Sequence, residues 1–172
     1  MSIVVEDGSG VAGANSYVAV DDCKAYCDAR GLTFSASPTA EGEQALIRAT
    51  QAIDAMYGAR YPGYRTNGRD QSLQWPRAEA TDAEGEEIAD DEIPQEIIDA
   101  TCEAAVRELA TPGSMMPDLE RGGRIQSLQA GSVAITYGSN AEAVTTFQTI
   151  DGVLAGLLGS PVASFVGRAV RG

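Results

Sequence analysis

The chain has 172 residues, of which 44% are hydrophobic and 22% charged, as in an ordinary globular protein with a core of its own. Twenty-five acidic against twelve basic residues give a net charge of −13, which argues against a large phosphate-neutralising surface. The N-terminus does not resemble a secretory signal, and no apolar run is long enough to cross a bilayer. We therefore expect a protein made in a cytosol, with no membrane partner.

Residue usage also bears on catalysis. The chain has no histidine, so Ser-His-Asp, Cys-His and His-metal sites cannot be built. Lys24 is the sole lysine, and no phosphate-binding lysine loop surrounds it. Cys23 and Cys27 would share a helix face, but without a second pair they are typical of buried reduced thiols. We predict no catalytic residue, no metal, no cofactor and no enzymatic activity.

The N-terminal region combines a short strand with a glycine-rich turn. Residues 2–5 have a strand pattern, and Gly8 to Gly13 match the G-x-G-x-x-G spacing of dinucleotide-binding turns. That motif needs a helix opening within it and a second parallel strand. Turn-like residues follow instead, and the chain lacks an alternating βαβ pattern. A glycine-rich loop is therefore favoured over a nucleotide site.

Four stretches have the apolar spacing of amphipathic helices. The first begins at Asp21 or Asp22 and ends at Arg30, before Gly31. The others are 41–58, 94–110 with Pro94 in the first turn, and 146–158. Two short strand patterns, about 124–129 and 132–137, are joined by Ala130-Gly131 and predict a β-hairpin.

The sequence thus predicts a mainly α fold: a small helical bundle of about four helices with a β-hairpin and long loops. We expect a helical domain over residues 1–158, with the hairpin near 124–137, and a C-terminal tail over 159–172. The tail has two bases, no acid and several apolar residues. It is therefore either a frayed terminus or a docking peptide that orders on a partner.

The connection between the two long helices carries the most unusual pattern. Trp75, the only tryptophan, precedes a proline and should plug the core. Arginines and aromatic residues interleave over 59–77, as in platforms that bind single-stranded nucleic acid. However, residues 79–104 hold eleven acids and no base. Pairing of the arginines with acids, within or across subunits, is the favoured interpretation.

Several motifs, taken together and in order, resemble a known phage family. They include Asn15-Ser16-Tyr17-Val18, Leu73-Gln74-Trp75-Pro76-Arg77, Ile93-Pro94-Gln95, Arg121-Gly122-Gly123-Arg124 and Ile150-Asp151-Gly152-Val153-Leu154. Families of this appearance carry the label of DnaT-like single-stranded-DNA-binding proteins, and they also resemble the head–tail connector (adaptor) proteins of long-tailed phages.

The connector resemblance implies a structural subunit of a tailed bacteriophage. Twelve copies would form a ring that joins the portal protein to a tail-side neck protein (stopper or tail terminator). The subunit would be assembled in the host cytoplasm and lie in the neck of the virion. DNA would be only passing cargo, and an acidic ring would let it slide because phosphate contacts hold DNA. On that charge argument we expect the connector role, with single-stranded-DNA binding as the alternative.

Two sets of residues follow as candidate contacts in such a ring. The arginine-rich loop of one subunit would contact the acidic run over 79–104 of the next, so that each subunit offers a basic and an acidic face around the ring. The hairpin would also contribute to this interface. These interface candidates are Arg60, Arg65, Arg69, Arg77, Val133 and Ile135. The tail would dock on the portal protein through Val162, Phe165, Val166, Arg168, Val170 and Arg171.

Overall fold

The structure, a computed structural model, describes residues 2–35, 39–117, 127–130, 133–136 and 146–158. Four α-helices lie within these ranges and agree with the predicted helices to within a few residues at each end. They are α1 (Val20–Arg30), α2 (Thr39–Tyr57), α3 (Gln95–Ala110) and α4 (Gln148–Leu154). The predicted mainly α fold class is confirmed.

Helices α2 and α3 pack against each other along their apolar stripes and form the centre of the fold. Leu46 and Ile53 of α2 and Ile97 of α3 are fully buried, as are Ile150 and Leu154 of α4. Each lies on the inward stripe of its helix, which is where the helical repeat of the sequence places it. Burial of a side chain of this size contributes about 1.5–3 kcal/mol, so this packing contributes much of the stability.

A partly buried ion pair joins α2 to the end of α3. Glu108 accepts a hydrogen bond from Arg48 Nε at 2.8 Å, and its carboxylate also accepts from the backbone N–H groups of Gly113 and Met115 at 2.7 and 2.9 Å. Burial raises the pKa of Glu108, but these hydrogen bonds and the Arg48 charge outweigh it, so the pKa is lowered overall. The carboxylate thus satisfies backbone donors of the turn that follows α3.

The connection between α2 and α3 folds back on itself through two short antiparallel pairs. β1 (Tyr64–Arg65) pairs with β2 (Arg77–Ala78), and β3 (Ala80–Thr81) pairs with β4 (Glu87–Ile88). These strands have two residues each, which is too short for an alternating apolar pattern, so they could not be predicted from the sequence.

Trp75 anchors this connection to the helices, as its position before a proline predicted. The side chain is fully buried and lies against Tyr61, with 5.7 Å between the ring centroids. The peptide bond from Trp75 to Pro76 is cis. The prediction that Trp75 plugs the chain's own core is confirmed.

The predicted hairpin is also present. β5 (Ser127–Ala130) pairs antiparallel with β6 (Val133–Thr136), so that Ala130 lies opposite Val133. The strand predicted over residues 2–5 is wrong, because only a single bridge between Val5 and Ser16 forms there. The C-terminal tail lies outside the described residues, so the division at residue 158 stays a prediction.

Candidate nucleic-acid interface

The loop between β1 and β2 is organised around the buried side chain of Gln71. Its amide group donates hydrogen bonds to the carbonyl oxygens of Leu73 and Pro76 at 3.0 and 2.9 Å. Its side-chain oxygen accepts from the backbone N–H of Asn67 at 3.1 Å. These bonds satisfy backbone groups that the two short strands leave unpaired, and they hold the loop in one shape.

Arg77 stabilises the same loop from the other side. Its guanidinium donates to the carbonyl oxygens of Pro62, Gly63 and Gln74 at 2.5, 2.7 and 3.3 Å. The residue is only 7% exposed, so most of its hydrogen-bonding capacity is used within its own chain. Its predicted contact with a second subunit stays a prediction.

The connection between α2 and α3 also carries an exposed aromatic ring and several arginines. Tyr64 in β1 is 54% exposed, although large apolar side chains elsewhere in the described structure are mostly buried. Arg60 and Arg69 are exposed, and Arg65 is half-buried. We call Arg60, Tyr64, Arg65 and Arg69 the arginine–tyrosine surface.

The arginines of this surface form no ion pair with a carboxylate in the described part of their own chain. Within the described ranges, ion pairs to carboxylates form only at Lys24, Arg30 and Arg48. Arg60 instead lies 5.9 Å from the ring centre of Tyr57, and Arg65 donates a long bond of 3.4 Å to a backbone carbonyl. Pairing of the loop arginines with acids of the same chain is therefore wrong for the described residues. These guanidinium groups retain donors for another anion.

Two carboxylates, those of Glu79 and Asp90, lie near Tyr64. The hydroxyl of Tyr64 donates a hydrogen bond to Glu79 Oε1 at 3.2 Å, and this bond with the Glu79 charge raises the pKa of Tyr64. The contact is at the tip of the ring and is exposed to solvent, so the ring face stays available for stacking.

A second polar network connects the loop to the helices beneath it. Tyr17 donates to Asp54 Oδ1 at 2.7 Å, and Asp54 Oδ2 accepts from the backbone N–H of Gln74 at 2.9 Å. The backbone N–H of Trp75 donates to the Tyr17 hydroxyl at 3.1 Å. Burial raises the pKa of Asp54 to about 6, although these hydrogen bonds and the charges of Arg77 and Arg65 oppose the rise. Sequence reasoning missed this network, because no local pattern links residues so far apart in the chain.

The glycine-rich turn near the N-terminus is not a phosphate site. Glu6 is buried, and its Oε1 accepts hydrogen bonds from the backbone N–H groups of Gly8 and Gly10 at 3.0 and 2.8 Å. A carboxylate of the chain itself therefore takes the amides that a nucleotide phosphate would need. This geometry supports the loop interpretation.

Cys23, Cys27 and Cys102 are buried free thiols, as predicted for the first two. Among the described residues, no group of three histidine, cysteine or acidic side chains is arranged to hold a metal ion. The same part of the chain holds no helix with the length and hydropathy needed to span a membrane.

The remaining candidate contacts were placed on the hairpin and the tail. Val133 and Ile135 lie in β6, opposite Ala130 and Leu128 of β5. The six docking candidates between Val162 and Arg171 lie outside the described residues. Both sets stay predictions.

Fold and surface together define a class: a small, mainly helical protein with an exposed aromatic ring and with arginines that, in the described part of the chain, have no carboxylate partner. Over residues 1–172 the chain matches the model of the family described as "Putative DnaT-like ssDNA binding protein", and it belongs to that family. No curated protein and no solved structure matches it.

Family membership overturns the connector prediction. The family is described by single-stranded-DNA binding, so the predicted role as a connector ring subunit was wrong. The predicted partners, namely the portal protein, a tail-side neck protein and a ring of identical subunits with DNA only as cargo, were wrong with it. The error came from treating the charge of −13 as one field. Within the described residues, Arg60, Arg65 and Arg69 form no ion pair with a carboxylate.

Proposed function

We propose that the protein binds single-stranded DNA through the arginine–tyrosine surface. The observation that carries the proposal is the exposed ring of Tyr64 on a connection whose arginines, Arg60, Arg65 and Arg69, form no ion pair with a carboxylate of the described structure. Membership of a family described by single-stranded-DNA binding supports it.

The chemistry of the surface suits an unpaired strand. A base of single-stranded DNA exposes both of its faces and can stack on Tyr64, which contributes about 1–3 kcal/mol per base. Arg60, just after α2, and Arg69, between β1 and β2, are exposed and can donate hydrogen bonds to the phosphates that flank the stacked base. The hydrogen bonds of Gln71 and Arg77 hold the loop, so little conformational entropy is lost on binding.

The acidic character of the rest of the chain favours single strands over duplexes. Duplex DNA has one negative charge per about 1.7 Å of its axis, so its phosphates are strongly repelled by the acidic residues of the protein. Its bases are stacked inside the helix, so no base face is free to stack on Tyr64. A binder with a net charge of −13 must gain affinity from stacking and from a few phosphate contacts. We therefore expect binding of single strands that a duplex of the same sequence does not displace.

The test measures fluorescence anisotropy of a labelled oligothymidylate of about 15 nucleotides, which covers one site of this type. Tyr64→Ala should weaken binding by about 5- to 150-fold, because one stacking contact is lost. Tyr64→Phe should bind like the wild type, because it retains the ring and loses only the hydroxyl contact with Glu79. Arg60→Ala and Arg69→Ala should each weaken binding by a smaller factor.

Arg30→Ala is the matched charge control. Arg30 lies on α1, pairs with Asp99 at 3.6 Å and stacks on Tyr26. Its replacement changes the net charge by the same amount as Arg60→Ala or Arg69→Ala but leaves the arginine–tyrosine surface intact. Thermal melting should show that all five variants are folded. Unchanged affinity of folded Tyr64→Ala, or an equal loss in Arg30→Ala, would refute the proposed site.

A further inference from the structure

A polar cavity of about 370 Å³ lies beside the loop that carries the arginine–tyrosine surface. Its volume falls within the range of about 300–1,000 Å³ of small-molecule pockets. The cavity is bounded by the turn before α1, by one face of α2 and by the segment leading to Trp75. Its walls include Ala14, Ile47 and Leu73 as apolar groups, and Gln51, Asp54 and Gln74 as polar ones.

The polar groups of the cavity have hydrogen-bonding capacity to spare. Asp54 accepts one hydrogen bond at each oxygen, which leaves a further acceptor position on both. The side chain of Gln51 is exposed and makes no hydrogen bond within the described structure, and the Gln74 amide nitrogen likewise has no acceptor there. Thr50, which also lines the cavity, has a buried hydroxyl without a partner among the described residues. Together these unused polar groups line a solvent-open cleft and leave hydrogen-bonding capacity for a ligand.

The cavity and the arginine–tyrosine surface share the same loop. Ser72, Leu73 and Gln74 line the cavity, and this segment follows Gln71, whose carbonyl accepts the bond from Arg65. The charge of Arg65 is also close enough to act on Asp54. A strand that contacts Arg65 and Tyr64 would therefore pass near the mouth of the cavity.

We infer that this cavity is a nucleobase subsite that takes one base of the bound strand, and that guanine fits it best. The inference rests on the proposed function, since the strand held at Tyr64 supplies the base. Asp54 would accept from the base edge, Gln51 would bond to its other polar atoms, and the apolar walls would contact its faces.

The preference for guanine follows from the pattern of donors on each base. Guanine presents two adjacent donors, N1–H and the N2 amino group, and a carboxylate with one free acceptor position on each oxygen can accept both. Thymine has one donor flanked by two carbonyl oxygens, which the Asp54 charge repels. Adenine and cytosine each present one amino group on that edge and should be intermediate.

The first experiment compares an oligothymidylate of about 15 nucleotides with the same strand carrying a central guanine. Wild-type protein should bind the guanine strand at least about 5-fold more tightly, as expected for a base contact of about 1 kcal/mol or more. Gln51→Ala and Ala55→Leu should abolish that preference, the first by removing a polar contact and the second by filling the mouth of the cavity. Both should bind plain oligothymidylate like the wild type.

Gln44→Ala is the control. Gln44 has the same side chain as Gln51 and is exposed on the same helix, but it does not line the cavity. This variant should keep the full preference for guanine. Equal affinity of the wild type for both strands, or loss of the preference in Gln44→Ala, would overturn the inference and leave the proposed function standing.

The second experiment probes the cavity without a strand. Saturation-transfer NMR with deoxyguanosine monophosphate should show transfer to the base protons in the wild type and Gln44→Ala, and much less in Gln51→Ala. Deoxythymidine monophosphate should give a weaker transfer. Transfer from the guanine nucleotide without any binding of oligothymidylate would support the subsite and refute the arginine–tyrosine surface. No transfer, or transfer insensitive to Gln51→Ala, would refute the subsite.

Discussion

The hydroxyl of Tyr17 donates a hydrogen bond to the carboxylate of Asp54 at 2.7 Å and at the same time accepts from the backbone N–H of Trp75 at 3.1 Å. Tyr17 lies just before α1, and Asp54 lies on α2. The pair therefore fixes the segment next to Trp75 to both helices. Because that segment also borders the cavity and leads into the arginine–tyrosine surface, this contact links the core to the candidate site.

Replacement of Tyr17 by phenylalanine tests this link. The variant keeps the buried ring but removes the hydroxyl that accepts from the Trp75 N–H within the described structure and that donates to Asp54. A buried backbone donor without a partner costs about 1–3 kcal/mol, so the free energy of unfolding should fall by that amount in a urea titration.

Tyr26→Phe is the matched control for this substitution. Its hydroxyl makes one hydrogen bond, to Glu103 at 3.2 Å, in a more exposed position. We expect a loss of less than about 1 kcal/mol there. Equal losses in the two variants would show that the Tyr17 hydroxyl has no special role in holding the loop.

The pH dependence of stability should report the state of Asp54. Burial raises its folded pKa to about 6 from 3.8, so the folded protein binds this proton more tightly than the unfolded chain. The contribution of Asp54 to stability is therefore full at low pH and is lost as pH rises toward and through about 6. Between pH 7 and pH 4.5 the wild type should gain about 2 kcal/mol relative to Asp54→Asn, which has no proton to bind.

The difference between the two unfolding free energies is the measurement, because it cancels the titration of the other acids that both proteins share. Parallel pH profiles for wild type and Asp54→Asn would contradict the raised pKa. A difference that grows in the opposite direction would show that the carboxylate is stabilised in its charged form instead.

The helices could be predicted from the sequence because their signal is local. The apolar stripe of α2, with Leu46 and Ile53, repeats at the helical period, and the same holds for Ile97 on α3. The burial of Trp75 was predictable for a similar reason, since a lone large aromatic before a proline in a connection is usually a core anchor.

The shape of the loop was not predictable, because its determinants are far apart or act on the backbone. Gln71 and Arg77 stabilise it through bonds to carbonyl oxygens, which any sequence offers. Tyr17 and Asp54 are 37 positions apart and follow no motif. The interleaved arginines and aromatics were recognised, but the lack of ion pairs at Arg60, Arg65 and Arg69 within the described residues depends on the fold, and the net charge pointed to the wrong function.

Gly63, directly before β1, is a position where a side chain would clash with the backbone. Its φ is +61°, and a Cβ there would lie 2.2 Å from the carbonyl oxygen of Ala78, within the paired strands. Gly63→Ala should therefore displace β1 from β2 and lower the free energy of unfolding by about 2 kcal/mol or more. It should also weaken DNA binding, because Tyr64 is the next residue.

Gly68→Ala separates backbone strain from the clash at Gly63. Gly68 has a similar φ of +55°, but a Cβ there would meet no atom within 4 Å. We expect a loss of about 1 kcal/mol and little change in DNA affinity. Urea titrations of both variants give the comparison, and an equal loss at the two positions would show that the contact with Ala78 has no consequence.

The salt dependence of binding should reveal how few phosphates the surface contacts. Each phosphate neutralised on a single strand contributes about −0.7 to the slope of log affinity against log salt concentration. Arg60, Arg65 and Arg69 provide three cations, so the slope for oligothymidylate should be about −2. Arg69→Ala should reduce its magnitude by about 0.7, and Arg30→Ala should leave it unchanged. A slope steeper than about −4 would require basic residues beyond this surface, and a slope near zero would show that the arginines do not contact the strand.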